Sequence, residues 1–322
     1  MTKATEPWVE KYRPRVLNDV VGNKAAVDRL RIIAEQGNIP NLILTGPPGI
    51  GKTTSLLCLC RQLLGDKLKE AVIELNASDD RGIEVVRQDI KSFAKRHVNL
   101  PEGRHKVVFL DESDSMTPAA QQAMRRIMEK YSDTTRFVFA CNMSEKVIDP
   151  LQSRCAIVRF TRVDDDQIAQ RLEQICKLEN VQYTKDGISA LAVLADGDMR
   201  SAVNGLQATA IRFEFVNQEN VQQTVDVPNP GQIAEIFNSI RKGDIRNAFT
   251  ILHGLEEKGH SYSDIVSSLF RTARRDTVFN EKLKLLVLKE IGLAQMAMAQ
   301  GVSSPLQLDG LLARIFKVVT PA

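Results

Sequence analysis

Residues 46–53 read Gly-Pro-Pro-Gly-Ile-Gly-Lys-Thr. The spacing is Gly, four residues, then Gly-Lys-Thr, between an apolar run and a helical pattern. Glycines at such positions let the backbone curl until its N–H groups face a phosphate chain, and the following helix N-terminus adds positive dipole. Lys52 is then placed to contact β- and γ-phosphates, and the Thr53 hydroxyl to ligate Mg²⁺. A chance match in one chain has odds on the order of one per cent.

A second feature is Val107-Val-Phe-Leu-Asp111-Glu112, an apolar strand ending in two acids. The carboxyl end of a parallel strand is where open α/β sheets bind ligands. Asp111 would hold Mg²⁺ there, and Glu112 would orient and polarise an attacking water. Asn142 follows another apolar run, Arg136 to Cys141; its amide could bond the γ-phosphate or the water, although alone it reads as a turn former. Arg154 stands in Pro150-Leu-Gln-Ser-Arg-Cys155. Its simplest reading is a surface ion pair; its functional reading is an arginine finger.

These residues need a scaffold. Apolar runs at 41–45, 71–75, 106–110, 136–140 and 156–160 are rich in Val, Ile, Leu and Phe and alternate with helical patterns. Buried parallel strands read this way, so residues 1–161 predict an α/β core. After Thr161 the pattern turns helical, with Ile168, Leu172 and Ile175 on one face. Pro228 and Pro230 mark a boundary, and at least four amphipathic helices follow. The expected division is 1–161, 162–226 and 227–322.

The chain has 322 residues and a net charge of +3, which excludes a strongly basic polymer binder but not a local basic surface. Aromatics are 5% of residues, against an extended base-stacking platform. Five cysteines form no CxxC pair, as expected of reduced thiols. No run nears the roughly 18 apolar residues of a membrane span, and the first residues lack a signal-peptide core, so a soluble intracellular protein is expected. Arg87 and Lys91 lie four apart in the helical text 83–94, where spacing alone suggests a solvated basic face.

Together these strings resemble the AAA+ ATPases, and within them the clamp-loader small subunits of replication factor C. The resemblance is carried by Trp8-Val-Glu-Lys-Tyr-Arg-Pro14, Asn76-Ala-Ser-Asp-Asp-Arg-Gly82, Asp111-Glu-Ser-Asp114, Ser153-Arg-Cys155 and Gly197-Asp-Met-Arg200, in the family order. Lys289-Glu-Ile-Gly292 and its surroundings look most like the fungal fourth subunit. Ser113 stands where the family's commonest string has Ala, with both acids kept.

The resemblance implies a P-loop AAA+ domain with a parallel five-stranded sheet of order 5-1-4-3-2, a small helical lid and an all-α collar. It implies that Val9, Arg13 and Val21 line the adenine pocket, with Gly46, Pro47, Pro48, Gly49, Ile50, Gly51, Lys52, Thr53 and Thr54 around the phosphates of ATP. Without it, residues 8–14 read as an extended arm. Arg200 becomes a second sensor reaching the γ-phosphate, and Arg154 a finger acting on a neighbouring subunit's ATP. Arg81, Arg87, Lys91 and Lys146 become contacts to the DNA backbone, which position a duplex without reading its sequence. The helix near 115–131, with Met116 and Thr117 at its start, would face the sliding clamp. His97 and His105 receive no role.

The implied function is ATP-driven loading of the clamp PCNA onto primer–template DNA, in the nucleus, within a heteropentamer of replication factor C subunits. A stand-alone AAA+ DNA remodeller or helicase, for example one acting on Holliday junctions, is one rival, and it predicts a homohexamer with a C-terminal winged helix. An ATP-binding scaffold with little turnover is another.

Overall fold

The computed structural model describes residues 6–77, 83–101, 103–225 and 228–320; for 83–87 it describes the backbone. The chain forms two compact units, residues 1–221 and 222–322.

The first unit is built on strands β1 (Leu42–Thr45), β2 (Val72–Asn76), β3 (Lys106–Asp111), β4 (Thr135–Cys141) and β5 (Ala156–Arg159). All pair in parallel, in the order β2-β3-β4-β1-β5, the order the resemblance implies read from the other edge. Alternate residues feed two cores, as a pleated strand requires. Leu42, Leu44, Val107, Phe109 and Val138 join one; Ile43, Val108, Leu110, Phe137 and Phe139 join the other. Covering on both faces explains why these strands read as unbroken apolar runs.

A short helix α1 (Trp8–Lys11) precedes α2 (Lys24–Gln36), α3 (Lys52–Leu64) and α4 (Leu68–Ala71). Leu30 of α2 and Leu56 and Leu59 of α3 fill the first core. Helices α5 (Ile83–Lys95) and α6 (Pro118–Lys130) give Ile90, Met124 and Met128 to the second. Pro118 opens α6 and the Thr117 hydroxyl accepts from the Ala120 N–H, a strong helix start.

The Lys106 ammonium is buried at the start of β3 and donates to the Phe93, Ala94 and Arg96 carbonyls at 3.0, 2.6 and 2.6 Å. Three donors meet three acceptors at the α5 C-terminus, where a cation complements the helix dipole.

Helix α7 (Asp149–Gln152) leads into β5. Then come α8 (Asp165–Glu179), strand β6 (Gln182–Tyr183), α9 (Lys185–Ala195), α10 (Met199–Phe213), strand β7 (Phe215–Val216) and α11 (Gln218–Thr224). The two-residue parallel pair β6–β7 carries no pattern visible in the sequence.

The second unit holds α12 (Pro230–Arg241), α13 (Ile245–Glu257), α14 (Tyr262–Arg275), α15 (Glu281–Ala299) and α16 (Pro305–Val319). Ile236, Phe237, Leu252, Leu269, Ile291 and Leu312 are among its core side chains. Asn229, Asp244, Ser261 and Asn280 cap the first four helices through their side chains. Among the described residues this unit has no strand, so the winged helix predicted by the junction-remodeller reading is not found.

Candidate active site

The phosphate loop leaves β1 at Gly46 and enters α3 at Lys52. Gly46 has φ +148° and its Cα faces the Phe160 carbonyl; a Cβ there would stand 2.2 Å from that oxygen. Only glycine fits so close to backbone. The Lys52 side chain is 8% exposed, and its ammonium donates to the Gly46 and Pro47 carbonyls at 2.5 and 2.7 Å and to Asn142 Oδ1 at 3.0 Å. Burial pushes the Lys52 pKa down, and the Asp111 carboxylate works against that shift. Gly46 and Pro47 therefore hold the lysine rather than line the cleft in front of it.

That cleft is lined by Pro48 to Thr54, by Asp111, Glu112 and Asn142, and by Arg200. Thr53 Oγ1 donates to Asp111 Oδ2 at 2.9 Å, and Asp111 Oδ1 accepts from the Glu112 N–H at 2.9 Å. Glu112 has φ +51°, a left-handed conformation that costs a non-glycine residue about 1–2 kcal/mol. The second acid thereby leaves the strand direction at the mouth of the cleft. Behind it, buried Ser113 donates its hydroxyl to the Ala140 carbonyl at 2.8 Å, which ties the turn after β3 to β4. The Ser-for-Ala departure is thus a satisfied structural hydrogen bond.

Hard oxygens of Thr53 and Asp111 side by side suit a magnesium ion that shares its shell with water and phosphate. Among the described residues no cluster of three or more His, Cys, Asp or Glu forms an all-protein metal cage.

Arg200 stands in the first turn of α10, exposed, on the cleft wall. The Met199 N–H donates to the Gly49 carbonyl at 3.1 Å, so the start of α10 touches the phosphate loop directly. Val9, Arg13 and Val21 line the same cleft. The arm that carries two of them is not simply extended: residues 8–11 form α1, closed by Tyr12 N–H bonding the Trp8 carbonyl. Arg13 Nε reaches Thr54 Oγ1 at 3.3 Å.

Sequence reasoning missed part of this wall. Tyr12, Val163, Arg171, Ile175, Met199 and Val203 also line it. Ile175 and Val203 sit on the buried stripes of α8 and α10, where helical spacing says core and nothing more.

Arg154 is not in the cleft wall. Its guanidinium donates to Glu129 Oε1 at 2.7 Å and to the Pro150 carbonyl at 2.9 Å, and it is partly exposed. Lys91 is exposed on α5, and Lys146 is exposed on the turn after β4, where its carbonyl accepts from the buried Gln121 amide at 2.9 Å. Arg81 lies outside the described residues, and Arg87 is placed on α5 by its backbone alone.

The chain is 53% identical to replication factor C subunit 4 of Schizosaccharomyces pombe over 311 residues, 97% of this chain and 91% of that one. It belongs to the replication factor C family of AAA ATPases. Replication factor C subunit 4 of Saccharomyces cerevisiae is 50% identical over 97% of this chain and 96% of its own length. Replication factor C subunit 2 of Arabidopsis thaliana is 54% identical over 96% of this chain and 93% of its own. The model of the ATPase family associated with various cellular activities matches residues 42–163, and that of the replication factor C C-terminal domain matches 228–314. The Holliday junction branch migration motor RuvB of Thermotoga maritima shares the fold, with a TM-score of 0.55 and 18% identity over 71% of this chain and 79% of that one. A replication factor C subunit of this kind is a nucleotide-binding P-loop ATPase that assembles with other replication factor C subunits.

Proposed function

We propose that this chain is an ATP-hydrolysing small subunit of a nuclear clamp loader that places PCNA on primer–template DNA. Residues 1–161 act as the ATPase core, 162–226 as the lid and 227–322 as the collar that joins subunits. Lys52 binds the β- and γ-phosphates, and Glu112 orients the water and accepts its proton. Asn142 and Arg200 fix the γ-phosphate, and Val9, Arg13 and Val21 face the adenine. Thr53 and Asp111 would hold Mg²⁺, which when bound neutralises phosphate charge. Arg81, Arg87, Lys91 and Lys146 carry this subunit's share of DNA-backbone contact. The helix at 118–130 faces the clamp.

One observation carries the reading. Lysine, threonine, two acids, an amide and a lid arginine gather at one cleft, while Arg154 stands outside it. An arginine that stands outside the chain's own cleft, in the Ser153-Arg-Cys155 string, fits a finger offered to a neighbour's transferring phosphoryl group. ATP then works as a switch, because the assembled state is favoured only when a neighbour's finger meets bound nucleotide.

The test is ATPase measured on the chain alone and in complex with its co-purifying partners, with and without primed DNA and clamp. Hydrolysis should be weak alone and rise when complex, clamp and DNA are all present. Strong hydrolysis by the isolated chain, indifferent to the clamp, would contradict the reading. Binding without turnover in any combination would favour a scaffold.

A further inference from the structure

The N-terminal arm lines the cleft through Val9, Tyr12 and Arg13, yet α1 has only four residues and buries none of them. A helix that short has no stability of its own. Its place must come from contacts: Arg13 and Pro14, just beyond it, are held by α3, and the contacts of residues 8–12 converge on the lid. Trp8 N–H donates to Gln207 Oε1 of α10 at 2.9 Å. The Tyr12 carbonyl accepts from Arg171 of α8 at 2.9 Å. Glu179 Oε1 takes two more, from Lys11 Nζ and from the Tyr12 hydroxyl, both at 2.7 Å.

Glu179 is the last residue of α8, and Asn180 follows in the left-handed conformation that ends the helix. A carboxylate at a helix C-terminus gains nothing from the helix, because the dipole there is already negative. Local helix chemistry therefore does not account for an acid at this position, whereas the arm does. The Glu179 side chain is 18% exposed. Burial works to raise its pKa, but the hydrogen bonds from Lys11 and Tyr12 outweigh that and hold it below the usual carboxylate range. The Lys11 end is 45% exposed and screened by water, so the Tyr12 end carries more of the restraint.

Resting on the assignment of the cleft to ATP, we propose that Glu179 is a positioning residue: it fixes the arm against the lid and so sets nucleotide affinity without touching the phosphates. Arm and lid close on the base together, as one clamp in which a single carboxylate takes two of the four bonds described. Loss of the fastening leaves Lys52, Glu112 and Arg200 in place but makes the base wall loose.

The experiment compares wild type, Glu179→Ala, Glu179→Gln and Tyr12→Phe as full chains. The readouts are the Kd for a fluorescent ATP analogue and the kcat and KM of each variant in the assembled complex. Loss of charge-assisted hydrogen bonds of this kind should raise Kd and KM about tenfold in Glu179→Ala at unchanged kcat. Glu179→Gln, which keeps an acceptor, should fall between, and Tyr12→Phe should weaken binding about threefold. Combining Tyr12→Phe with Glu179→Ala should add little, since both remove one contact. A merely structural role would lower the melting temperature and leave Kd alone, which overturns the proposal, as does a fall in kcat at unchanged KM. Tyr12→Phe alters the arm and not α8, so it still reports if Glu179→Ala folds poorly. Failure of wild type to bind the analogue would refute the ATP assignment itself, whatever the variants do.

Discussion

Arg154→Ala gives the sharpest test of a finger working in trans. Within its own chain Arg154 makes one partly exposed ion pair with Glu129 and one hydrogen bond to the Pro150 carbonyl. Exposed pairs are worth about 0–1 kcal/mol, and a net hydrogen bond about 1 kcal/mol. Folding should therefore weaken by roughly 1–2 kcal/mol, a drop of about 2–8 °C in melting temperature for a unit of this size. ATP binding by the same chain should be unchanged within about twofold, because Arg154 does not line that cleft. Catalysis at the neighbour's cleft is a different matter. A finger stabilising transferring charge contributes about 10³-fold or more, roughly 4 kcal/mol of barrier. The assay is single-turnover hydrolysis in an assembled complex where only the cleft facing this chain can hydrolyse, paired with equilibrium ATP binding by the variant alone. The expected result is a thousandfold slower turnover next door with normal binding at home. Lost binding at home, or full turnover next door, would refute the trans assignment.

Other consequences are smaller in scope. Glu112→Gln should keep ATP binding and reduce turnover by about 10²–10⁴, since an amide cannot accept the water's proton; nucleotide-binding and steady-state assays separate the two. Ser113→Ala should lose the bond to the Ala140 carbonyl, cost about 1 kcal/mol in a melting experiment and leave turnover intact. Lys91→Ala should weaken duplex binding by the complex and reduce the slope of log affinity against log salt by about one, measured by titration at several salt concentrations.

The strands were legible because burial on both faces writes an apolar run, and the runs fall within a residue or two of β1 to β5. The phosphate loop and the two acids were legible because close backbone approach and strand-end carboxylates restrict residue type. The lid's share of the cleft was not. Arg171, Ile175 and Val203 are brought there by helix packing, and one helical stripe serves both core and cleft wall. The arm's short helix escaped notice for a related reason: its four residues hold no periodic signal, and its order comes from Glu179, Gln207 and Arg171, some 160 to 200 positions away. Ser113 looked like a mere departure from a family string until its hydroxyl was seen to have an acceptor.

Gly46, Asp111 and Asn142 leave the ends of β1, β3 and β4, three adjacent strands in one unbroken ladder. Strand spacing, about 4.8 Å, is a fixed ruler that cannot stretch without unzipping the sheet. The metric among loop glycine, acid and amide is therefore as durable as the fold. Arm and lid are fastened differently, by a handful of side-chain bonds that can open at far lower cost. Whatever the molecule remembers about its nucleotide must be written in those fastenings, because the ruler has no second length to adopt.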